Sequence, residues 1–115
     1  MRTLKEIQKE IADDNHNFFS DMAYNLEHHV LGLCGEAGEV ADLVKKRQRR
    51  SPGFTESNPK FVEALETEVV DVFIYIMSIA SILEIDMEKE YDRKRAYNRN
   101  RFGPKGIQES LFDEA

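Results

Sequence analysis

At 115 residues the chain has room for one domain with a modest core, and no shift of composition marks a second module, so residues 1–115 read as a single domain. A net charge of −6 excludes a general nucleic-acid binder, which needs a basic surface to displace phosphate counterions, but it leaves room for a single nucleotide held through metal ions. Cys34 has no partner for an internal disulfide, charges interrupt every apolar run near Met1, and the stretch Val69 to Leu83 holds Asp71 and is shorter than the roughly 20 residues of a membrane span, so a cytoplasmic chain with no membrane segment is expected.

The first helix is predicted over residues 3 to 13, where Leu4, Ile7 and Ile11 recur at helical spacing behind a Thr3/Glu6 pair that fits a capping box. Asp13, Asp14 and Asn15 are expected to end it. A second helix runs from about Asn25 to Arg49 and closes on Lys45, Lys46, Arg47, Arg49 and Arg50, cations that suit the negative end of a helix dipole and read as a solvated terminus. The loop from Ser51-Pro52-Gly53 leads to Asn58 as N-cap and Pro59 as first residue of a third helix, which continues to Leu83. Asp86 then caps a fourth helix reaching about Asn100, stopped by Gly103-Pro104. In the tail from Lys105 to Ala115, Ile107, Leu111 and Phe112 allow either a docked arm or a frayed end. The pattern is all-α and four-helix bundle-like. Helix three is apolar nearly all round, more than three short helices can cover, so a homodimer or homotetramer is expected to bury it.

Two acidic pairs stand out, Glu36 with Glu39 and Glu68 with Asp71, each at the i, i+3 spacing that puts both carboxylates on one helical face. If the two helices are antiparallel neighbours, the pairs meet as a group of four. Carboxylates held that close repel unless cations sit between them, and hard oxygen ligands suit Mg2+ or Mn2+. Asp71 lies among Val69, Val70, Val72, Phe73 and Ile74, where a bare charge is costly, so it is either a metal ligand or half of a buried salt bridge.

Glycines at 32, 35 and 38 each cost about 1 kcal/mol relative to alanine inside a helix, and two benefits would offset this: close packing of a neighbouring helix, or close approach of a phosphate–metal group. Lys94, Asn98 and Arg101 share a face of the fourth helix and could grip phosphate oxygens, or form a solvated cationic face. Asn25 and His29 fall eleven and seven residues before Glu36 on nearly the same face, within reach of a base or ribose, although a lone histidine is more often a packing residue. Phe18 and Phe19 could stack on a base or close a core.

Glu36-x-x-Glu39, 28 intervening residues and Glu68-x-x-Asp71 resemble the signature of the all-α nucleoside triphosphate pyrophosphohydrolases, the MazG-like superfamily. Gly35-Glu36-Ala37-Gly38-Glu39-Val40-Ala41-Asp42-Leu43 and Arg93-Lys94-Arg95-Ala96-Tyr97-Asn98 are similar to the family's wording, and the likeness spans roughly residues 25 to 103. The resemblance implies a MazG-type fold, magnesium held by Glu36, Glu39, Glu68 and Asp71, and hydrolysis of a (deoxy)nucleoside triphosphate to monophosphate and pyrophosphate. One glutamate, Glu39 for instance, would take the proton of the attacking water, and Lys94, Asn98 and Arg101 would face phosphate. Two other readings stay open: a relative acting on phosphoribosyl-ATP, and a non-catalytic helical interaction module with a degenerate acidic site. A di-iron bundle is disfavoured because its Glu-x-x-His pairs are missing.

Overall fold

The computed structural model of the chain describes residues 1–104 and is helical throughout its regular structure, with α1 (Leu4–Phe18), α2 (Leu26–Gln48), α3 (Pro59–Ile82) and α4 (Met87–Phe102). The tail from Lys105 to Ala115, with its alternatives of docked arm and frayed end, lies outside the described residues. No helix among the described residues is long and apolar enough to cross a membrane.

Each helix begins where the sequence supplies a cap. The Thr3 hydroxyl accepts from the Glu6 N–H at 3.1 Å and the Glu6 carboxylate accepts from the Thr3 N–H at 3.5 Å, completing the capping box. Asn25, Asn58 and Asp86 cap the other three by accepting from the N–H groups of His28, Lys60 and Lys89. Helix α1 does not stop at Asp13 but runs on to Phe18. The expected breakers are used by the helix: Asp13 pairs with Lys9 one turn back at 2.9 Å, and Asn15 Nδ2 donates to Ser78 Oγ on α3 at 2.7 Å. Tertiary contact thus overrides weak local propensity.

The packing order is α2 on α3, α1 on α3, and α4 on α1, with no substantial contact between α2 and α4. The core is small. Ala23, Phe61, Met77 and Ala80 are its buried apolar members, while Val69, Val70, Ile74 and Ile76 of α3 and its C-cap Leu83 stay exposed. Phe18 and Phe19 do not close it either, being 70% and 64% exposed.

Polar side chains do much of the positioning. Buried Gln8 on α1 donates to the Ile85 carbonyl at 2.8 Å and accepts from the Met87 N–H at 3.2 Å, tying α1 to the turn that launches α4. That turn ends α3 by placing Glu84 at a left-handed φ of 57°, so that the Ile85 N–H reaches back to the Ala80 carbonyl at 2.8 Å. At the other end of the hairpin the basic run is not merely solvated. Arg47 pairs with Glu56, and Lys46 pairs with Asp42 and lies 4.8 Å over the Phe54 ring, which holds the loop between α2 and α3.

Candidate active site

Helices α2 and α3 run antiparallel, so residues that rise in number along one fall along the other. Gly32 faces Tyr75, Glu36 shares a cleft with Asp71, and Glu39 and Leu43 share a cavity with Glu68 and Ala64. This register converts two local i, i+3 spacings into one cluster. Carboxylate oxygens of Glu36, Glu39 and Glu68 all lie within 4.8 Å of one another. Asp71 is not within that group; it stands beside it, across from Glu36 in the adjoining cleft. The expected meeting of four is therefore a group of three with the fourth about one turn along α3.

The electrostatics of the trio are unbalanced. Among the described residues no lysine or arginine pairs with Glu36, Glu39, Glu68 or Asp71, so an ion-pair account of Asp71 finds no partner there. With the group ionised, Glu36 Oε2 and Glu68 Oε2 are buried and receive no donor from the described residues. The Glu68 carboxyl is pushed up to about 7, chiefly by the hydrogen bonds its protonated form gives to Glu36 and Glu39, with desolvation and charge repulsion adding to them. Orphaned hard oxygen donors on two rigid helices are what a small divalent cation requires, and Mg2+ or Mn2+ fits this donor set.

Two hollows flank the cluster. A cleft of about 300 Å³ runs from Glu36 and Asp71 past Tyr75 to Asn15, Phe19 and His29. A second, of about 490 Å³, is bordered by Gly35, Gly38, Glu39 and Glu68. The two uses of glycine divide between them. A Cβ on Gly32 would overlap the Tyr75 ring, so this glycine serves helix packing, whereas a Cβ on Gly35 or Gly38 would meet nothing within 4 Å. The surface beside the carboxylates is therefore bare backbone, open to a ligand.

Of the other predicted residues, His29 is buried at the cleft, its Nε2 3.1 Å from the Met22 carbonyl and its ring centroid 5.9 Å from that of Tyr75. Asn25 spends its side-chain oxygen on capping α2, accepting from the His28 N–H at 2.9 Å. Lys94, Asn98 and Arg101 are carried away from the carboxylates, because α4 packs on α1 and not on α2. Lys94 lies 4.8 Å over the Tyr97 ring, Arg101 4.9 Å over that of Phe102, and Asn98 borders a surface groove with Tyr91, Arg95 and Arg99. None of the three borders either hollow beside the cluster. Contributors to the cleft that were not singled out from sequence include Tyr75, Asn15, Met22 and Ser78. Tyr75 had a signal, falling four residues after Asp71 on the same helical face. Asn15 was masked by its resemblance to a helix breaker.

Comparison with known proteins agrees with this geometry. The family model for the MazG nucleotide pyrophosphohydrolase domain matches residues 25–97, from the α2 cap through most of α4. The chain is similar to dCTP pyrophosphatase 1 of Rattus norvegicus, 34% identical over 73 residues, and of Homo sapiens, 33% identical over 73 residues, covering 64% of this chain and 43% of each relative. It is also similar to the Gene 37 protein of Mycobacterium phage L5, 36% identical over 66 residues, which are 56% of this chain and 55% of that protein. The aligned part thus spans less than half the length of the two mammalian relatives. With the family model covering well over half the chain and both acidic pairs inside the match, the chain belongs to the MazG nucleotide pyrophosphohydrolase family.

Proposed function

We propose that the chain is a divalent-metal-dependent nucleoside triphosphate pyrophosphohydrolase that cuts between the α and β phosphates, releasing a monophosphate and pyrophosphate for control of the nucleotide pool. The observation that carries this reading is the convergence of Glu36, Glu39 and Glu68 beside Asp71, with buried oxygens that no donor among the described residues satisfies. These four residues would hold Mg2+ or Mn2+. Such ions, when bound, neutralise a phosphate chain and lower the pKa of an attacking water. Glu36 and Glu68, half-buried on facing helices, fix the oxygens in place. Glu39, the exposed member of the trio, is placed to take the proton from water at the open side. The bare backbone at Gly35 and Gly38 admits the phosphates, and the cleft toward His29 takes the nucleoside.

Phosphate-side cations are the missing part of a single protomer. Lys94, Asn98 and Arg101 sit on α4, remote from the trio, and α3 exposes Val69, Val70 and Ile76. A homo-oligomer that covers this apolar face and brings α4 of one copy to the carboxylates of another supplies both needs. Because the mammalian relatives are named dCTP pyrophosphatase 1, deoxycytidine triphosphate is the first substrate to try.

The test is a panel of common and modified nucleoside triphosphates with magnesium, scored for pyrophosphate against orthophosphate. Pyrophosphate with the matching monophosphate is expected. Orthophosphate as first product overturns the reading, and absence of any magnesium-dependent turnover would favour a non-catalytic helical module.

A further inference from the structure

His29 is 5% exposed and carries a polar atom, Nδ1, that is buried with no hydrogen-bond partner among the described residues. Its other ring nitrogen, Nε2, lies 3.1 Å from the Met22 carbonyl oxygen. A carbonyl only accepts, so Nε2 must carry the hydrogen, and in the neutral ring Nδ1 is left as a bare lone pair. The Met22 carbonyl thus fixes the tautomer. Among the described residues nothing donates to that lone pair: the His28 ring stands edge-on at 5.2 Å between centroids, and the Tyr75 ring is tilted at 5.9 Å with its hydroxyl end lying over Gly32. An unanswered buried acceptor is costly unless a ligand answers it.

The place of His29 along α2 decides which ligand group that is. It borders the same cleft as Glu36 and Asp71. Seven residues of helix separate it from Glu36, about 10 Å along the axis. A sugar is bonded directly to the phosphate held near Glu36, so at His29 the far edge of the base is the part in reach. We infer that His29 is a specificity-determining residue of the nucleotide site, its Nδ1 accepting a hydrogen bond from an exocyclic amino group on the substrate's base. This inference rests on the pyrophosphohydrolase reading.

The test uses the full chain with magnesium and two substrate pairs, dCTP against its analogue with the 4-amino group replaced by hydrogen, and dATP against the corresponding purine analogue. For at least one pair, KM is expected to be about tenfold or more lower for the amino form, as for a site that loses a designed hydrogen bond. His29→Leu should bring that ratio close to one. His29→Asn, whose side-chain oxygen lies near the former Nδ1, should retain part of the preference. A readout independent of turnover is the 15N resonance of Nδ1, which should report an unprotonated nitrogen in the free protein and shift on adding dCMP or dAMP but not the monophosphate whose amino group is replaced by hydrogen.

No preference for the amino form in either pair, an unchanged ratio in folded His29→Leu, or a protonated Nδ1 in the free protein overturns the proposal. If His29→Leu fails to fold, His29→Asn and the resonance decide. If the parent releases no pyrophosphate from any nucleotide, the pyrophosphohydrolase reading falls, and the monophosphate titration still judges His29 separately.

Discussion

The α2–α3 hairpin and helix α4 carry opposite charge in opposite physical states. On the hairpin, Glu36, Glu39 and Glu68 are held together by the packing of two long helices, with no cation among the described residues to relieve them. On α4, Lys94 and its neighbours Arg93, Arg95 and Arg99 are exposed along a helix whose main contact is α1. Charge on the hairpin is confined and works against the fold; the charges of Lys94, Arg95 and Arg99 on α4 are exposed and change its stability little. Acidic residues that lower stability in exchange for a site should therefore behave differently, when neutralised, from cations that merely wait at the surface.

The sharpest break of that comparison is to neutralise one member of each. Glu36→Gln and Glu68→Gln should lower turnover by about 100-fold or more, since even residues that only orient a metal ligand cost 10–100-fold when replaced. Both variants should melt in chelator at the same or a higher temperature than the parent, because each removes a repelling charge at nearly constant volume. Lys94→Ala should lower activity less, by about tenfold for one lost charge-assisted hydrogen bond, with stability within about 0.5 kcal/mol of the parent. Steady-state rates and melting curves of the three variants check this. An equal loss of stability in all three would mean the hairpin stores no electrostatic strain.

Magnesium is the second lever. If it binds only the folded state, it should stabilise by RT ln(1 + [L]/Kd), roughly 2.7 kcal/mol at a hundredfold excess over Kd. Glu39→Gln and Asp71→Asn should gain much less. Asp71 is the more informative of the two, because it stands outside the group of three and yet has no ion-pair partner among the described residues. Should Asp71→Asn melt far lower in chelator while magnesium leaves the parent unchanged, Asp71 is a structural partner and not a ligand.

How much of this could be read from residues alone depends on the range of the interaction. Caps at Thr3, Asn58 and Asp86 are local, within three residues of the groups they satisfy, and all three lie where the sequence places them, whereas Asn25, expected to face a base or ribose, caps α2. The end of α1 was illegible because Asn15 is held by Ser78, sixty-three positions away. The same limit applies to the site. Helical spacing aligns Glu36 with Glu39 and Glu68 with Asp71, but the register of α2 against α3, locked by Gly32 under Tyr75, is what selects three oxygens and leaves Asp71 beside them. For α4, helical spacing puts Lys94, Asn98 and Arg101 on one face and says nothing of which helix they meet.

A weaker effect separates the two regions by pH. The Glu68 carboxyl lies at about 7 in the fold against an ordinary value of 4.5, so between these values the folded chain binds more protons than the unfolded one. Its contribution to stability is then fully present below about 4.5 and lost as pH rises through about 7. Melting temperature in chelator should fall across that window. Glu68→Gln should flatten the profile, and so should saturating magnesium, which competes with the proton for the same oxygens. Lys94→Ala should leave the profile as it is in the parent. A parent whose stability rises between pH 5 and pH 7 would contradict the crowding of Glu68 by Glu36 and Glu39.

The smallest expected effect falls on the two glycines beside the carboxylates, and it tests whether their bare backbone exists for a ligand. Gly35 and Gly38 lie inside α2 with nothing within 4 Å of an added Cβ, so Gly35→Ala or Gly38→Ala adds helix propensity and removes no contact. Each should raise stability by about 0.5–1 kcal/mol in chelator. Gly32→Ala should have the opposite sign, because its methyl group would displace the Tyr75 ring. Activity separates the explanations that stability cannot. If phosphate must approach the α2 backbone, the two stabilised variants lose turnover even though the fold has improved, with KM for the triphosphate rising more than kcat falls. Stabilised variants with parental KM and kcat would show that nothing in the reaction needs the bare surface, and the phosphates would then have to enter from the Asp71 side of the cluster.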